Sequence, residues 1–91
     1  MRLGGKIAIV TGGGSGFGSG IIRKFAKEGA KVIVADIHLE NAKKVAHSVG
    51  GIAVEVDVSN SSSFKNLVNI TLEKFGKIDI MVNNAGITHT P

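Results

Sequence analysis

Four short runs rich in Ile and Val, at Ile7–Val10, Val32–Ala35, Ile52–Val56 and Ile78–Val82, recur along the chain with a helix-length segment between each pair. They are mostly apolar on both faces, the pattern of strands buried in a parallel sheet. The intervening segments carry the helical period. Ile21, Ile22, Phe25 and Ala26 recur at one-turn spacing before Gly29, and Leu39, Ala42, Val45, Ala46 and Val49 do so before Gly50-Gly51. Phe64, Leu67, Val68, Thr71, Leu72 and Phe75 repeat the pattern before Gly76. Ser59, Asn60 or Ser61 is placed to cap this last helix, so the SNSSS run reads as capping and loop chemistry. The order β-α-β-α-β-α-β predicts an α/β fold with a parallel sheet and helices on both faces. Right-handed crossovers favour the strand order 3-2-1-4. That is one half of a doubly wound sheet plus the first strand of the other half, an incomplete sheet of four strands and three helices.

A chain of 91 residues buries roughly 60 to 65% of its unfolded surface, which suits one domain over 1–91 and not two independent cores. The balance of 43% hydrophobic and 20% charged residues, with one proline, is that of a globular protein. The net charge of +4 raises the possibility of a nucleic-acid partner, but the eleven Lys and Arg are scattered. Only Arg23-Lys24 with Lys27 and Lys31 approaches a cluster, and it reads as a solvated helix face more readily than as a polyanion patch. There are four Phe but no Tyr or Trp for base stacking. No nucleic-acid partner is expected. The absence of cysteine removes disulfides and thiolate metal sites and fits a reducing compartment. The longest apolar runs are four or five residues, against the ~20 that a membrane span requires, so no membrane role and a cytoplasmic location are expected.

The segment TGGGSGFG, Thr11 to Gly18, joins the first strand to the first helix. Backbone N–H groups and the positive end of the helix dipole converge there, where an anion can sit. Gly12 is placed for a sharp turn, Gly16 for close approach of a pyrophosphate, and Gly18 for tight packing of the helix on the sheet. The spacing is G-x-x-x-G-x-G, neither the strict G-x-G-x-x-G nor a P-loop, since no Lys lies in the loop. Taken alone, the segment is equally a tight turn. Asp36 changes the balance. It closes the second strand, 20 residues after Gly16, where a carboxylate accepts hydrogen bonds from adenine-ribose hydroxyls; read singly, it is also a candidate cap for the helix that follows. That carboxylate would stand beside the extra phosphate of NADP, so NAD is the expected cofactor. Neither Ser15 nor Ile37 supplies an offsetting cation, although His38 adjoins.

These residues resemble the short-chain dehydrogenase/reductase family, whose phosphate loop reads T-G-x-x-x-G-x-G and whose fourth strand ends in N-N-A-G. Thr11 to Gly18 matches the first motif and Asn83-Asn84-Ala85-Gly86 the second, and Asp57-Val58 resembles the family's adenine-contacting Asp. The likeness runs from Lys6 to about Thr88 and is greatest to the 3-oxoacyl-carrier-protein reductase and glucose dehydrogenase-like branch. Phe17 replaces the usual Ile or Leu. The resemblance implies a Rossmann-type fold that binds NAD through Gly12, Gly14, Ser15, Gly16, Phe17 and Gly18, through Asp36 and Ile37, through Asp57 and Val58, and through Asn84, Ala85 and Gly86 near the nicotinamide-side ribose. Read singly, Asn83-Asn84 is also an ordinary polar turn.

The implied reaction is hydride transfer between nicotinamide and a carbonyl or alcohol, using a Tyr-x-x-x-Lys pair with a preceding Ser. The chain contains no Tyr, so no catalytic residue is assigned within it. Residues 1–91 are expected to be the N-terminal NAD-binding part of a longer, homo-oligomeric oxidoreductase acting on a small alcohol or ketone, the fragment alone being inactive. The alternative is a non-catalytic nucleotide-binding or assembly module. No metal site is expected, since His38, His47 and His89 lack metal-ligand spacing.

Overall fold

A computed structural model describes residues 2–84, except for the side chain of Phe17. The elements alternate as β1 (Ile7–Thr11), α1 (Gly16–Lys27), β2 (Lys31–Asp36), α2 (Leu39–Val49), β3 (Ile52–Glu55), α3 (Ser61–Phe75) and β4 (Ile80–Asn83). All the pairings are parallel, and the sheet order is β3-β2-β1-β4. This is the Rossmann-type arrangement predicted from the alternation of strands and helices.

Alternation along the central strands divides the core into two layers. Ile7 and Ile9 of β1, with Ile33 and Ala35 of β2 and Val54 of β3, pack beneath Leu67 of α3. Val10 of β1 and Val32 and Val34 of β2 face the other way, against Ile22 of α1 and Ala42 and Ala46 of α2. All five residues of β1 are buried. A strand covered by helices on both sides has no face left for polar residues, which accounts for the continuous apolar runs.

The helix ends follow local chemistry. Among the three candidate caps of α3, Asn60 fills the position, its side chain accepting a hydrogen bond from Ser63 N–H at 3.0 Å. α2 and α3 stop at Gly50 and Gly76, as their periodicity predicts. β4 begins at Ile80 and not at Ile78. Asp79 N–H donates to Ile7 C=O at 2.9 Å, and its carboxylate accepts from Ile7 N–H at 2.8 Å. A side chain thus takes the first ladder position, and regular pairing starts one residue later, at Ala8 opposite Ile80. Ile78 still packs against the α3-side core.

Candidate functional site

The β1–α1 loop crosses the C-terminal edge of the sheet. Gly12 carries a φ of 69°, a conformation that costs an L-residue with a side chain and leaves glycine unstrained. The chain then turns back, with Gly13 N–H donating to Ala35 C=O at 3.1 Å, and α1 starts at Gly16. Ser15 is the helix N-cap: its hydroxyl accepts from Gly18 N–H at 3.1 Å and donates to Gly12 C=O at 2.8 Å. Ser19 N–H donates to Ser15 C=O at 2.8 Å. The N–H groups of Gly16 and Phe17 are therefore the first-turn donors that the cap does not use, and they lie at the positive end of the helix dipole. A Cβ at Gly16 would meet nothing within 4 Å, so the surface there is open to an incoming group.

Gly18 sits where the sequence places it but for a different reason. A Cβ there would strike the Gly12 carbonyl oxygen and come within 2.9 Å of the Asn84 amide nitrogen, both loop-side groups and not the sheet. The close packing of loop, helix and sheet falls on Gly13 instead, where a Cβ would lie 2.8 Å from a Val34 methyl.

Strand register brings the remaining groups to this loop. Thr11 pairs with Ala35 on one side and with Asn83 on the other, so Asp36 and Asn84 both flank Gly12. The Asp36 carboxylate is buried, with one oxygen accepting from Gly14 N–H and the other from His38 N–H, each at 2.8 Å. His38 occupies the N-cap position of α2 with no side-chain cap bond. Asp36 lies two residues before that N-cap and joins the start of α2 to the glycine loop, so the simple capping reading does not describe it.

Asn84 is fully buried; its amide donates to Gly12 C=O at 3.2 Å and lies 3.5 Å from the Ser15 hydroxyl. Its carbonyl oxygen has no partner among the described residues, and a buried acceptor of this kind calls for a donor. Thr11 supports the same corner, its hydroxyl donating to Asn83 Oδ1 at 2.8 Å.

Asp57 follows β3. Its carboxylate accepts from the Ser59 hydroxyl at 2.6 Å and from Ser59 N–H at 3.0 Å, and these two bonds hold it below the usual carboxylate range, the hydroxyl contributing most. Ser63 orients the turn from the other side, its hydroxyl accepting from Asp57 N–H at 2.9 Å. Gly12, Asp36, Ile37, Val56, Asp57 and Val58 line one cleft of about 210 Å³ at the C-terminal ends of β1, β2 and β3. A larger groove of about 500 Å³ runs beside β3 and α3 and shares Ile37 and Asp57, but no loop glycine lines it.

Five of the sequence-derived residues, Gly12, Asp36, Ile37, Asp57 and Val58, thus share a cleft. Gly14 joins it through Asp36, and Asn84 reaches Gly12 from the opposite side. Ala85 and Gly86 lie outside the described residues, as does His89; His38 and His47 are exposed. Among the described residues no group of three His, Cys, Asp or Glu side chains could hold a metal, and no helix is long and apolar enough to cross a membrane. The sequence reading missed the cap role of Ser15, which a Ser three residues before Gly18 could have signalled. It also missed the approach of Asn41 to Gly14, for which no local signal exists.

The residues suit a dinucleotide: the buried Asp36 carboxylate lines the cleft beside Gly12, the same loop carries the open Gly16 surface and the unused first-turn N–H groups of α1, and Asn84, whose carbonyl oxygen has no partner among the described residues, holds that loop at Gly12. Fold and crevice together define a Rossmann-type α/β protein. The family model of the short chain dehydrogenase matches residues 6–91, and the chain belongs to that family. It is 44% identical over 94 residues to short-chain dehydrogenase reductase 3a of Arabidopsis thaliana, covering 100% of this chain and 37% of that protein. It is 46% identical over 92 residues to zerumbone synthase of Zingiber zerumbet, covering 97% and 34%. The crystal structure of 3-ketoacyl-(acyl-carrier-protein) reductase from Brucella melitensis complexed with NADH superposes with a TM-score of 0.91 at 48% identity, over 98% of this chain and 38% of that one. The chain thus spans little more than a third of the length of these relatives.

Proposed function

We propose that this chain is the cofactor-binding part of an NAD-dependent oxidoreductase that moves a hydride between nicotinamide and the carbonyl or alcohol carbon of a small substrate. The observation that carries the reading is Asp36, a buried carboxylate closing β2 in the cleft shared with Gly12 and Asp57. There it would accept hydrogen bonds from the adenine-ribose hydroxyls, and it opposes the additional phosphate of NADP. The Brucella melitensis reductase was solved with NADH, which supports the same preference. In this reading Gly12 to Gly18 receive the pyrophosphate at the α1 N-terminus, and Ile37 and Val58 flank the adenine. Asn84 would meet the nicotinamide-side ribose, the subsite to which the family motif also assigns Ala85 and Gly86. When bound, the dinucleotide would supply the hydride donor or acceptor; residues 1–91 contain no tyrosine, and no acid or base is assigned among them. The complete enzyme is read as a cytoplasmic homo-oligomer.

Titration of the protein with NADH and NADPH by calorimetry tests the assignment. Binding of NADH at least about tenfold tighter than NADPH is expected, whereas equal or reversed affinities would show that Asp36 does not read the ribose. If a folded protein binds neither, the nucleotide role is wrong.

A further inference from the structure

Asp36 has a second task that does not involve the ribose. Its two carboxylate oxygens are already engaged by Gly14 N–H and His38 N–H, each at 2.8 Å, with the residue 7% exposed. Hydrogen bonds to an ionised acceptor in a buried setting are the strong ones. Gly14 approaches so closely that a Cβ on it would lie 2.9 Å from the Asp36 oxygen and 2.8 Å from the Asn41 Cβ, on the first turn of α2. On the loop's other side, the Asn84 amide holds Gly12 C=O. A run of glycines is the costliest kind of segment to order, and here it is held from both flanks by side chains separated from it by 22 and 72 positions in the sequence.

From this geometry we infer that Asp36 is a positioning residue for the phosphate loop: through Gly14 N–H it fixes the loop before any nucleotide arrives, and so couples recognition of the pyrophosphate to recognition of the ribose. The inference rests on the nucleotide-binding reading above. Its consequence is that the carboxylate cannot be removed to admit NADP without also loosening the loop that must hold the pyrophosphate.

Two measurements on the full-length protein separate this role from ribose binding. The first is affinity for 2′,3′-dideoxyadenosine diphosphate, a probe with the diphosphate but without the ribose hydroxyls. If Asp36 acted only on those hydroxyls, Asp36→Asn would leave its affinity unchanged, or raise it by removing a negative charge near an anion. A positioning role instead lowers it about tenfold, because only the ordered fraction of the loop binds. Gly14→Ala, which crowds the same contact while retaining the carboxylate, is expected to give a similar loss, and the double variant less than the sum of the two.

The second measurement is amide hydrogen exchange in the nucleotide-free protein. The Gly14 amide should exchange about tenfold faster in Asp36→Asn while the Ile9 and Val34 amides of the sheet keep their protection, showing that the fold persists. Unchanged Gly14 exchange, or undiminished binding of the dideoxy probe, overturns the inference. If the unmodified protein binds neither this probe nor NADH, the nucleotide-binding reading fails by itself, and the exchange result still decides whether Asp36 orders the loop.

Discussion

Ser59 and Asp57 show how one side chain sets the state of another. The Ser59 hydroxyl and N–H both donate to the same Asp57 oxygen, and together they hold the carboxyl below its usual range. A folded-state pKa below the unfolded value means that the contribution to stability is present above the ordinary aspartate pKa of about 3.9 and is lost as pH falls through the folded value. Replacing Ser59 by Ala removes the larger of the two bonds. The Asp57 titration followed by carboxyl-carbon NMR is then expected to move up toward the ordinary value, with the acid limb of the unfolding curve flattened in that range; a titration identical to that of the unmodified protein would contradict the assignment. The pair could be read only in part from the sequence: Ser59 stands two residues after Asp57, the spacing of an Asx-type turn, but the SNSSS run offers four serines and only the fold selects Ser59 for the carboxylate and Ser63 for the backbone N–H.

The α3 helix illustrates what a local pattern can and cannot specify. Its apolar period, its Gly76 stop and a cap among Ser59, Asn60 and Ser61 were legible because each depends on residues within about one turn, and the structure selects Asn60. Leu67, in its middle, is completely buried in the core cluster it forms with Ile7, Ile9 and Ile33. Leu67→Ala is therefore expected to cost about 2 to 5 kcal/mol, measured as a lowered urea midpoint at unchanged slope; a loss below about 0.5 kcal/mol would mean that the helix does not close this side of the core. Strand β4 is the contrary case. Ile78 belongs to the same apolar run as Ile80, and nothing in the run itself marks where pairing begins. The boundary is set by the Asp79 carboxylate on Ile7 N–H, 72 residues away, and by Lys77, whose ammonium group lies 3.1 Å from the same oxygen. Leu72 of α3 and Met81 of β4 remain exposed at 43% and 38%, although both belong to apolar patterns that suggest burial.

At the scale of the whole molecule, the sheet order converts distant sequence positions into one crevice. Thr11 pairs with Ala35 and Asn83, so the residues that follow them, Asp36 and Asn84, necessarily reach the loop that follows Thr11. Cofactor choice belongs to this scale, since the carboxylate acts only where the register delivers it. Asp36→Ala is expected to raise the NADPH-to-NADH affinity ratio about tenfold or more, read by competition binding, while absolute affinity for both falls because the loop loses its Gly14 anchor; an unchanged ratio would assign discrimination to another residue. By itself the sequence determined the order of elements, the two-sided burial of the central strands and the helix stops, because periodicity, caps and turns are interactions between near neighbours. Only the tertiary structure decided which donor meets which acceptor: that Gly13 and not Gly18 packs loop against sheet, that Ser15 caps α1 while Asn84 grips Gly12, and that Asp36 holds Gly14. A hydrogen bond tolerates only a few tenths of an ångström and a limited range of angles, and such placement across 22 or 72 residues exists only once the strands have taken their register.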